Sequence, residues 1–252
     1  MNCTVIIPAR YASSRFPGKP LAMLGGKPVI VRVVEQVEKA GFPAIVATDD
    51  ERIAEAVRAA GGQVCMTRAD HTCGTDRVRE VVDKLALTSD VIINVQGDEP
   101  FIQPGQIQAL AEIFERYPET DIATLVRPLP PDTPYAALSD PALVKAVVAE
   151  DGKALYFSRF PIPYQRGIEP EEWSSRHTYL GHVGIYAYRT EVLKRITSMP
   201  SGALEKCESL EQLRWLEAGL TIRTAPTLVS TIGIDTPADL AAAEAYLATL
   251  PA

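Results

Sequence analysis

Apolar residues in the first 120 positions follow two alternating spacings, which indicate strands and helices in turn. Short β-branched runs predict strands that are buried on both faces, as in a parallel sheet. Between these runs, apolar residues recur three and four positions apart, which is the spacing of one helix face. The predicted strands are 4–7, 44–48, 63–66 and 91–95, and the helical stripes lie at about 28–40, 53–60, 75–85 and 107–114. This alternation predicts a parallel sheet with right-handed crossovers.

The pattern changes from Asp121 onwards, where strand-like runs follow one another more closely. Asp151 and Gly152 predict the turn of a hairpin. The predicted elements here are strands at 122–129, 144–148, 154–158 and 184–188, and helices at about 190–198 and 205–218. Thr236 is the predicted N-cap of a last helix, with Pro237 at its first position. The second half therefore predicts a mixed sheet, and neither a linker nor an internal repeat separates it from the first half.

Composition narrows the class of protein. The chain has 252 residues, 46% hydrophobic and 23% charged, as in an ordinary globular protein with one large α/β domain or two small ones. A net charge of −7 disfavours a nucleic-acid partner. The four cysteines form no Cys-x-x-Cys pair, so we expect reduced thiols. Without a signal peptide or an apolar run of about 18 residues, we expect a cytoplasmic protein with no membrane partner.

The segment that follows the first predicted strand, residues 8–20, carries three cations, Arg10, Arg15 and Lys19. A loop at the carboxyl end of a parallel strand is where α/β proteins bind ligands. Cations with free backbone N–H groups there suit a polyphosphate. The spacing is that of neither a P-loop nor a dinucleotide fingerprint. Three prolines and a glycine predict a segment that is neither helix nor strand, and the alternative interpretation is a solvated connection with scattered charge.

Two aspartates are candidate metal ligands. Asp98 follows the strand at 91–95, in Gln96-Gly97-Asp98-Glu99-Pro100, and would face the same crevice as the basic segment. Phosphates and a carboxylate in one cleft need a cation, and Mg²⁺ bound by one or two carboxylates is the usual solution. Asp235 lies just before the last helix and is a second candidate. The alternatives are a turn or N-cap role for Asp98, and an ordinary helix-start aspartate for Asp235.

Polar residues of the second half form a further candidate set. Glu208, Glu211 and Gln212 are three and four positions apart in the helix predicted at 205–218, so they are expected to share one face. Arg159 ends an apolar strand, and His182 lies just before another. The alternatives are a solvated helix face and a structural histidine.

These motifs resemble those of the 3-deoxy-manno-octulosonate (Kdo) cytidylyltransferase family, the CMP-Kdo synthetases, over nearly the whole chain. The opening is shared with many nucleotidyltransferases, whereas the blocks at 96–100 and 208–214 are more specific to this family. The matching segments are 6–15, 17–21, 46–49, 64–67, 94–100, 154–159, 208–214 and 233–237.

The resemblance implies one domain over 1–252 with a Rossmann-like, GT-A-like nucleotidyltransferase fold of the α/β class. A mainly parallel central sheet is expected, with a mixed-strand subregion for dimerisation and sugar binding. It implies a nucleotide-binding half at about 1–120, a sugar-binding and dimer-contact half at about 121–220, and a returning strand and C-terminal helix at 221–252. The implied protein is a homodimer that uses Mg²⁺ to convert CTP and Kdo to CMP-Kdo and pyrophosphate, for lipopolysaccharide.

The resemblance also implies roles for individual residues. The nucleotide is expected to contact Pro8, Ala9, Arg10, Ser13, Ser14, Arg15, Lys19, Cys73, Gly74, Arg77 and Gln96. The sugar is expected to contact Gln96, Arg159, His182, Tyr186, Glu208, Glu211 and Gln212. Asp98 and Asp235 are expected to bind Mg²⁺, and with Arg10 and Lys19 they form the implied catalytic set.

Two departures from the family pattern bear on these roles. Cys73 stands where the family has a serine near the cytosine, and a thiol is a weaker hydrogen-bond donor. Residues 201–204 lack the proline that often precedes the sugar helix, so its start is expected to be looser.

Three rival functions remain to be weighed. A cytidylyltransferase for another acidic sugar, such as a sialic acid or 8-amino Kdo, is the nearest one, and the block at 208–214 favours Kdo. A non-catalytic nucleotide sensor is disfavoured because Asp98 and Asp235 are both present. A nicotinamide oxidoreductase is excluded by the missing glycine fingerprint.

Overall fold

The computed structural model describes residues 1–12, 15–71, 73–229 and 232–250. The chain divides into two compact units. The first unit comprises Met1–Ala111 and Thr231–Ala252, and the second comprises Glu112–Ser230. Within the described ranges, no helix is both long enough and apolar enough to cross a membrane.

The first unit is built on parallel strands. Its elements are β1 (Cys3–Ala9), a 3₁₀ turn (Lys19–Leu21), β2 (Met23–Leu24), β3 (Lys27–Pro28), α1 (Val29–Lys39), β4 (Ala44–Thr48), α2 (Glu51–Ala59), β5 (Gln63–Met66), α3 (Gly74–Lys84), β6 (Val91–Asn94) and α4 (Pro104–Arg116). The chain passes to the second unit within α4. Strand β1 pairs in parallel with β6 and β4, and β4 pairs in parallel with β5. The predicted strands and helices of this half are confirmed.

The segment at 8–20 contains more regular structure than its prolines suggested. Pro8 and Ala9 continue β1 and pair with β4, so the prediction of irregular backbone from Pro8 onwards is wrong. The N–H of Val5 points towards β4. Because successive N–H groups of a strand point to opposite sides, the position of the N–H that Pro8 lacks faces β6. Pairing with β6 ends before Pro8, so the missing N–H breaks no ladder. Lys19–Leu21 forms a 3₁₀ turn.

The short hairpin of β2 and β3 was not predicted. Gly25 and Gly26 form its two-residue turn, with φ angles of 52° and 79°. Both glycines lie in the left-handed region that such hairpin turns require. Pro28 lies in β3 with an extended ψ of 143°, directly before α1. It is therefore the cap residue of α1 and not its first helical residue.

The second unit contains a mixed sheet, as predicted. Its elements are β7 (Ile122–Pro128), α5 (Tyr135–Leu138), β8 (Lys145–Val148), β9 (Ala154–Ser158), a 3₁₀ turn (Pro170–Glu172), α6 (Trp173–Arg176), β10 (Leu180–Arg189), α7 (Thr190–Ile196), α8 (Ala203–Glu208), α9 (Glu211–Glu217) and β11 (Ile222–Pro226). Strand β7 pairs in parallel with β11 and antiparallel with β10, while β8 is antiparallel to both β10 and β9. Strand β10 is longer than predicted and has an irregular register between Val183 and Tyr186.

The helix predicted at 205–218 is two helices. Ser209 takes a left-handed conformation with φ 52° between α8 and α9, and the extended Leu210 is buried. The left-handed residue ends α8 and redirects the chain so that Leu210 enters the core. Glu208 is therefore the last residue of α8, while Glu211 and Gln212 begin α9. The prediction that these three side chains share one helix face is wrong.

The chain returns to the first unit with α10 (Pro237–Leu247). Thr236 is its N-cap, as predicted, and its hydroxyl accepts a hydrogen bond from the Asp239 N–H at 3.2 Å. The Asp239 carboxylate in turn accepts from the Thr236 N–H at 2.8 Å, which completes a capping box. A core cluster that includes Leu24, Phe101 and Ala243 packs against this helix. The end of the Asp235 loop that leads into α10 is thereby fixed.

Candidate active site

A pocket of about 270 Å³ lies within the first unit. It collects residues that are far apart in sequence, from the end of β1, the 3₁₀ turn, the start of α3, the end of β6 and the loop before α10. Its lining residues are Pro8, Ala9, Arg10, Arg15, Lys19, Pro20, His71, Cys73, Gly74, Arg77, Gln96, Gly97, Asp98 and Asp235. Every described residue that was predicted to bind the nucleotide or the metal lines this pocket. Ser13 and Ser14 lie outside the described residues.

Two glycines shape the pocket. Gly18 has φ 75°, and its N–H donates to the Tyr11 carbonyl at 2.9 Å, which holds these two positions of the basic segment together. Gly97 lies against β1: a Cβ at this position would stand 2.9 Å from the Pro8 carbonyl oxygen. A larger residue would push the end of β6 away from the end of β1. The two strand ends therefore approach closely enough to share one pocket.

Lys19 joins the two predicted metal ligands. Its Nζ donates to Asp98 Oδ2, and it donates to Asp235 Oδ1 at 2.9 Å. Arg15 forms an ion pair with the other oxygen of Asp235 at 3.1 Å. Burial lowers the pKa of Lys19, but the charges and hydrogen bonds of Asp98 and Asp235 outweigh it, so the pKa is raised overall. The ammonium therefore stays charged at neutral pH.

Helix α3 and the segment before it supply further lining residues, His71, Cys73, Gly74 and Arg77. The Cys73 Sγ caps α3 by accepting from the Asp76 N–H at 3.4 Å. Arg77 is buried, and its Nη1 donates to Thr67 Oγ1 at 2.5 Å and lies 3.4 Å from Asp49 Oδ1. The thiol that replaces the family's serine thus has a defined capping contact.

His71 is a pocket residue that the sequence reasoning did not select. Its Nε2 hydrogen-bonds to Glu80 Oε2. The available signal was its position two residues before Cys73, which is expected from the sequence to lie near the cytosine. Pro20 and Gly97 were also missed, and each adjoins a predicted site residue.

Arg159 and Glu208 contact each other in the second unit, and each also forms hydrogen bonds with other residues. Glu208 accepts from Ser158 Oγ at 2.7 Å and from the Arg159 N–H at 2.6 Å. The Arg159 side chain donates to the carbonyls of Glu208 at 2.6 Å, Ser209 at 3.2 Å and Pro141 at 2.8 Å. These contacts join the end of β9 to the end of α8.

His182 and Tyr186 lie together on β10, with ring centroids 5.4 Å apart. His182 Nε2 is 3.0 Å from Thr124 Oγ1, and that hydroxyl donates to the Ile185 carbonyl at 2.9 Å. The hydroxyl has one hydrogen, so Nε2–H is assigned as the donor to it and Nδ1 is left as an acceptor. Burial lowers the pKa of His182 to about 4, so the ring is neutral at physiological pH.

Helix α9 brings the last predicted residues close to these rings. Tyr186 packs edge-on against Trp215 of α9, with centroids 5.2 Å apart. Glu211 Oε1 accepts from Arg214 Nη2 at 2.8 Å, and Gln212 is buried. Burial also raises the pKa of the Tyr186 hydroxyl well above its usual value. The predicted sugar residues other than Gln96 therefore all belong to the second unit.

Comparison with known proteins places the chain in a family. A family model described as cytidylyltransferase matches residues 4–222. The 3-deoxy-manno-octulosonate cytidylyltransferase of Phocaeicola vulgatus is 58% identical over 242 residues, 96% of either chain. The enzyme of the same name from Porphyromonas gingivalis is 53% identical over 249 residues, 98% of either chain.

Solved structures agree. A CMP:2-keto-3-deoxy-manno-octonic acid synthetase complexed with CTP superposes with a TM-score of 0.90 at 44% identity, covering 98% of this chain and 99% of that one. A cytidylyltransferase from Leptospira borgpetersenii shares the fold alone, with a TM-score of 0.66 at 14% identity. The chain therefore belongs to the cytidylyltransferase family, among the 3-deoxy-manno-octulosonate cytidylyltransferases, and the predicted Rossmann-like nucleotidyltransferase fold is confirmed.

Proposed function

We propose that this cytidylyltransferase transfers the cytidylyl group of CTP to Kdo, giving CMP-Kdo and pyrophosphate for lipopolysaccharide synthesis. One observation carries the proposal: a single pocket joins three cations from the basic segment to two carboxylates from distant loops. Cations suit the triphosphate, and the carboxylates suit the metal that accompanies it. The named relatives, similar over almost their whole length, support CTP and Kdo as the substrates.

The reaction is an in-line displacement at the α-phosphorus of CTP. The anomeric hydroxyl of Kdo forms a new P–O bond and loses its proton, while the bond from the α-phosphorus to the bridging oxygen breaks and pyrophosphate leaves. Arg10, Arg15 and Lys19 would bind the phosphates and offset the charge that develops on the leaving group. The protein's contribution is positioning and charge neutralisation, and we assign no side chain as a general base.

Asp98 and Asp235 are the residues that would hold Mg²⁺. Both carboxylates already hold one cation, the Lys19 ammonium. Two carboxylates completed by substrate phosphates form a usual Mg²⁺ donor set, and no group of three or more acidic, histidine or cysteine side chains suited to a metal occurs among the described residues. When bound, the ion would polarise the α-phosphate.

In the second unit, the sugar would be contacted by Arg159, His182, Tyr186, Glu208, Glu211 and Gln212. Arg159 has five side-chain N–H groups. The described contacts use three of its nitrogens on carbonyls, which leaves donors for the Kdo carboxylate. The neutral His182 offers Nδ1 as an acceptor for a sugar hydroxyl. Both roles are compatible with the structural contacts that these residues already make.

A homodimer is the proposed assembly, and its contact would lie on the second unit. Three large apolar side chains, Leu155, Phe160 and Tyr164, are 60%, 61% and 71% exposed there. Exposed apolar side chains around a strand end favour self-association over permanent contact with water. Light scattering of the purified chain tests the dimer, and the cytoplasmic location stays a prediction from the sequence.

Pyrophosphate release tests the function. The chain is incubated with CTP and Mg²⁺, with Kdo, without sugar, and with a sialic acid in its place. We expect release that depends on both Kdo and Mg²⁺, with CMP-Kdo as the nucleotide product. Equal release with the sialic acid would move the assignment to another acidic sugar. No release with either sugar, from a folded chain that binds CTP, would favour a nucleotide sensor.

A further inference from the structure

Glu80 of α3 fixes the segment that forms one wall of the nucleotide pocket. Its Oε2 accepts from the Arg68 N–H at 3.0 Å and hydrogen-bonds to His71 Nε2. Its Oε1 pairs with Lys84 Nζ at 2.7 Å, and Lys84 also donates to the Met66 carbonyl at 2.9 Å. One carboxylate therefore ties together the end of β5, the segment after it and a histidine that lines the pocket.

The charge of Glu80 is held firmly. Burial alone would raise the pKa of this carboxyl, but Lys84, His71 and the Arg68 N–H together lower it to about 2. The carboxylate is thus ionised at any pH at which the enzyme works. Charge-assisted hydrogen bonds of this kind are stronger and more directional than neutral ones, so His71 has little freedom to rotate.

The position of His71 indicates which part of CTP it meets. The cations Arg10, Arg15 and Lys19 and the two aspartates all line the pocket, and ion pairs join Arg15 and Lys19 to these aspartates. His71, Cys73 and Gly74 form another part of the lining. Arg77, the further cation in the lining, is engaged with Thr67 and Asp49. The phosphates are matched by the three cations of the basic segment, so the residues held by Glu80 are left for the nucleoside.

We propose that Glu80 is a positioning residue for the nucleotide: it holds His71 and the segment after β5 in the geometry that receives the nucleoside part of CTP. The proposal rests on the function given above. It differs from a purely structural role because it concerns binding of the base and ribose and not of the phosphates. Its loss should weaken ligands that contain the nucleoside and spare those that do not.

The test compares E80Q with D83N. Gln keeps the shape of Glu80 and loses its charge, while Asp83 lies on the same helix, is half exposed and pairs only with Arg79 among the described contacts. Calorimetry measures the dissociation constants of CTP, CMP and pyrophosphate. We expect E80Q to weaken CTP and CMP by roughly tenfold, the scale of one charged hydrogen bond. Pyrophosphate affinity, the KM for Kdo and saturated kcat should stay at wild-type values, and D83N should match wild type throughout.

H71A provides the second arm, in which Glu80 is intact. If Glu80 acts through His71, H71A should weaken CTP about as much as E80Q, and the double variant should be no worse than H71A alone. Wild-type CTP affinity in E80Q or H71A, equal loss of CTP and pyrophosphate, or additive losses in the double variant would each overturn the inference while the function stood. A wild-type chain that does not bind CTP would overturn the proposed function itself.

Discussion

Four charged residues of the nucleotide pocket contact one another, whereas two charged residues predicted to contact the sugar, Arg159 and Glu208, are held largely by backbone. In the first unit, Lys19 and Arg15 form ion pairs with Asp98 and Asp235. In the second unit, Arg159 donates to three carbonyls and Glu208 accepts from a backbone N–H and a serine. The same kinds of side chain therefore have different partners in the two places.

The difference separates residues that serve a ligand from residues that also serve the fold. Ion pairs between partly exposed side chains contribute little to stability, and the Arg15 and Asp235 side chains are 66% and 45% exposed. Such pairs can be exchanged for phosphates or a metal at small cost. A buried acceptor of backbone hydrogen bonds is different, because its removal leaves unpaired donors. Substitutions of Lys19, Asp98 or Asp235 should therefore change activity with little effect on stability, whereas substitution of Glu208 should change stability as well.

Asp98→Asn is expected to have the largest effect. The amide keeps the side chain's shape but loses the charge that holds a hard cation, and a metal's contribution of several kcal/mol corresponds to a loss of about 10³ or more in turnover. CTP should still bind, because the cations remain. Activity is measured against Mg²⁺ concentration, with the exposed Asp132→Asn as control. An unchanged Mg²⁺ dependence would show that the metal is held elsewhere.

Lys19→Ala comes next, with a predicted loss of ~10²–10³ in turnover, as for removal of one preorganised donor to developing charge. Its folding should be close to wild type, because Asp235 keeps its ion pair with Arg15. Circular dichroism and thermal unfolding check the fold, and pyrophosphate release checks turnover. Lys27→Ala is the control, since Lys27 is an exposed lysine paired only with Glu35 in the described contacts. Near wild-type turnover in Lys19→Ala would remove the phosphate role.

Gln212→Ala and Glu208→Ala distinguish sugar binding from fold stability in the second unit. Both should raise the KM for Kdo about tenfold and leave that for CTP unchanged, because substrate hydroxyls lose a matched partner. Glu208→Ala should also lower the free energy of unfolding by about 1–3 kcal/mol, since Ser158 Oγ and the Arg159 N–H lose their acceptor. Kinetics with each substrate varied and urea unfolding measure the two effects, with the exposed Glu191→Ala as control. Wild-type Kdo kinetics in both variants would remove the sugar-binding role of Glu208 and Gln212.

The sequence predicted the first unit better than the second for a physical reason. Parallel strands and their crossover helices follow hydrophobic spacing, and the rule that their carboxyl ends share one edge was enough to group Arg10 with Asp98. The break at Ser209 has no such local signal, because apolar spacing is helical on both sides of it. Its contacts are long-range: Arg159, about 50 residues away, donates to the carbonyls of Glu208 and Ser209.

The hydrogen-bond partners of individual side chains were the other feature that could not be predicted from the sequence. The contacts of Lys19 with Asp98 and Asp235 join positions 79 and 216 residues apart, and hydrophobic spacing says nothing about such pairs. The Glu80 contact with His71 is closer in sequence but depends on the path of the segment after β5. The Gly25–Gly26 hairpin, in contrast, carried a recognised two-residue turn signal and was predictable.

Protonation of His182, in the second unit, is expected to have a smaller effect, and this effect is on the free energy of unfolding. The unfolded ring binds a proton near pH 6.5 and the folded ring near pH 4, so the unfolded state holds more protons between these values. Stability must then fall as pH falls through this window. Between pH 7 and pH 5 we expect a loss of about 1–2 kcal/mol, at 1.36 kcal/mol per unit. This range lies above the one, from 4.5 down to about 2, in which Glu80 loses its own contribution.

His182→Gln is the matching variant, because its amide can still donate to Thr124. Urea unfolding at both pH values should show a flatter pH dependence in this variant than in wild type. His177→Gln, at an exposed histidine, should keep the wild-type slope. Parallel curves for all three proteins would mean that His182 is not buried as a neutral ring.

Cys73→Ser should have the smallest effect. It tests whether the side chain at this position of the first unit contributes to recognition of the cytosine base. Sulfur is a weak acceptor, and the present contact with the Asp76 N–H is 3.4 Å long. A serine hydroxyl is a better N-cap, so we expect a gain of up to about 1 kcal/mol and a Tm higher by about 2–4 °C. If the side chain serves only as the cap of α3, the KM for CTP and the preference for CTP over UTP should stay within about twofold, or ~0.5 kcal/mol. Scanning calorimetry and competition kinetics measure the two quantities. A several-fold gain in CTP preference would instead show that the family's hydroxyl takes part in base selection, and that this chain has given up part of that selectivity.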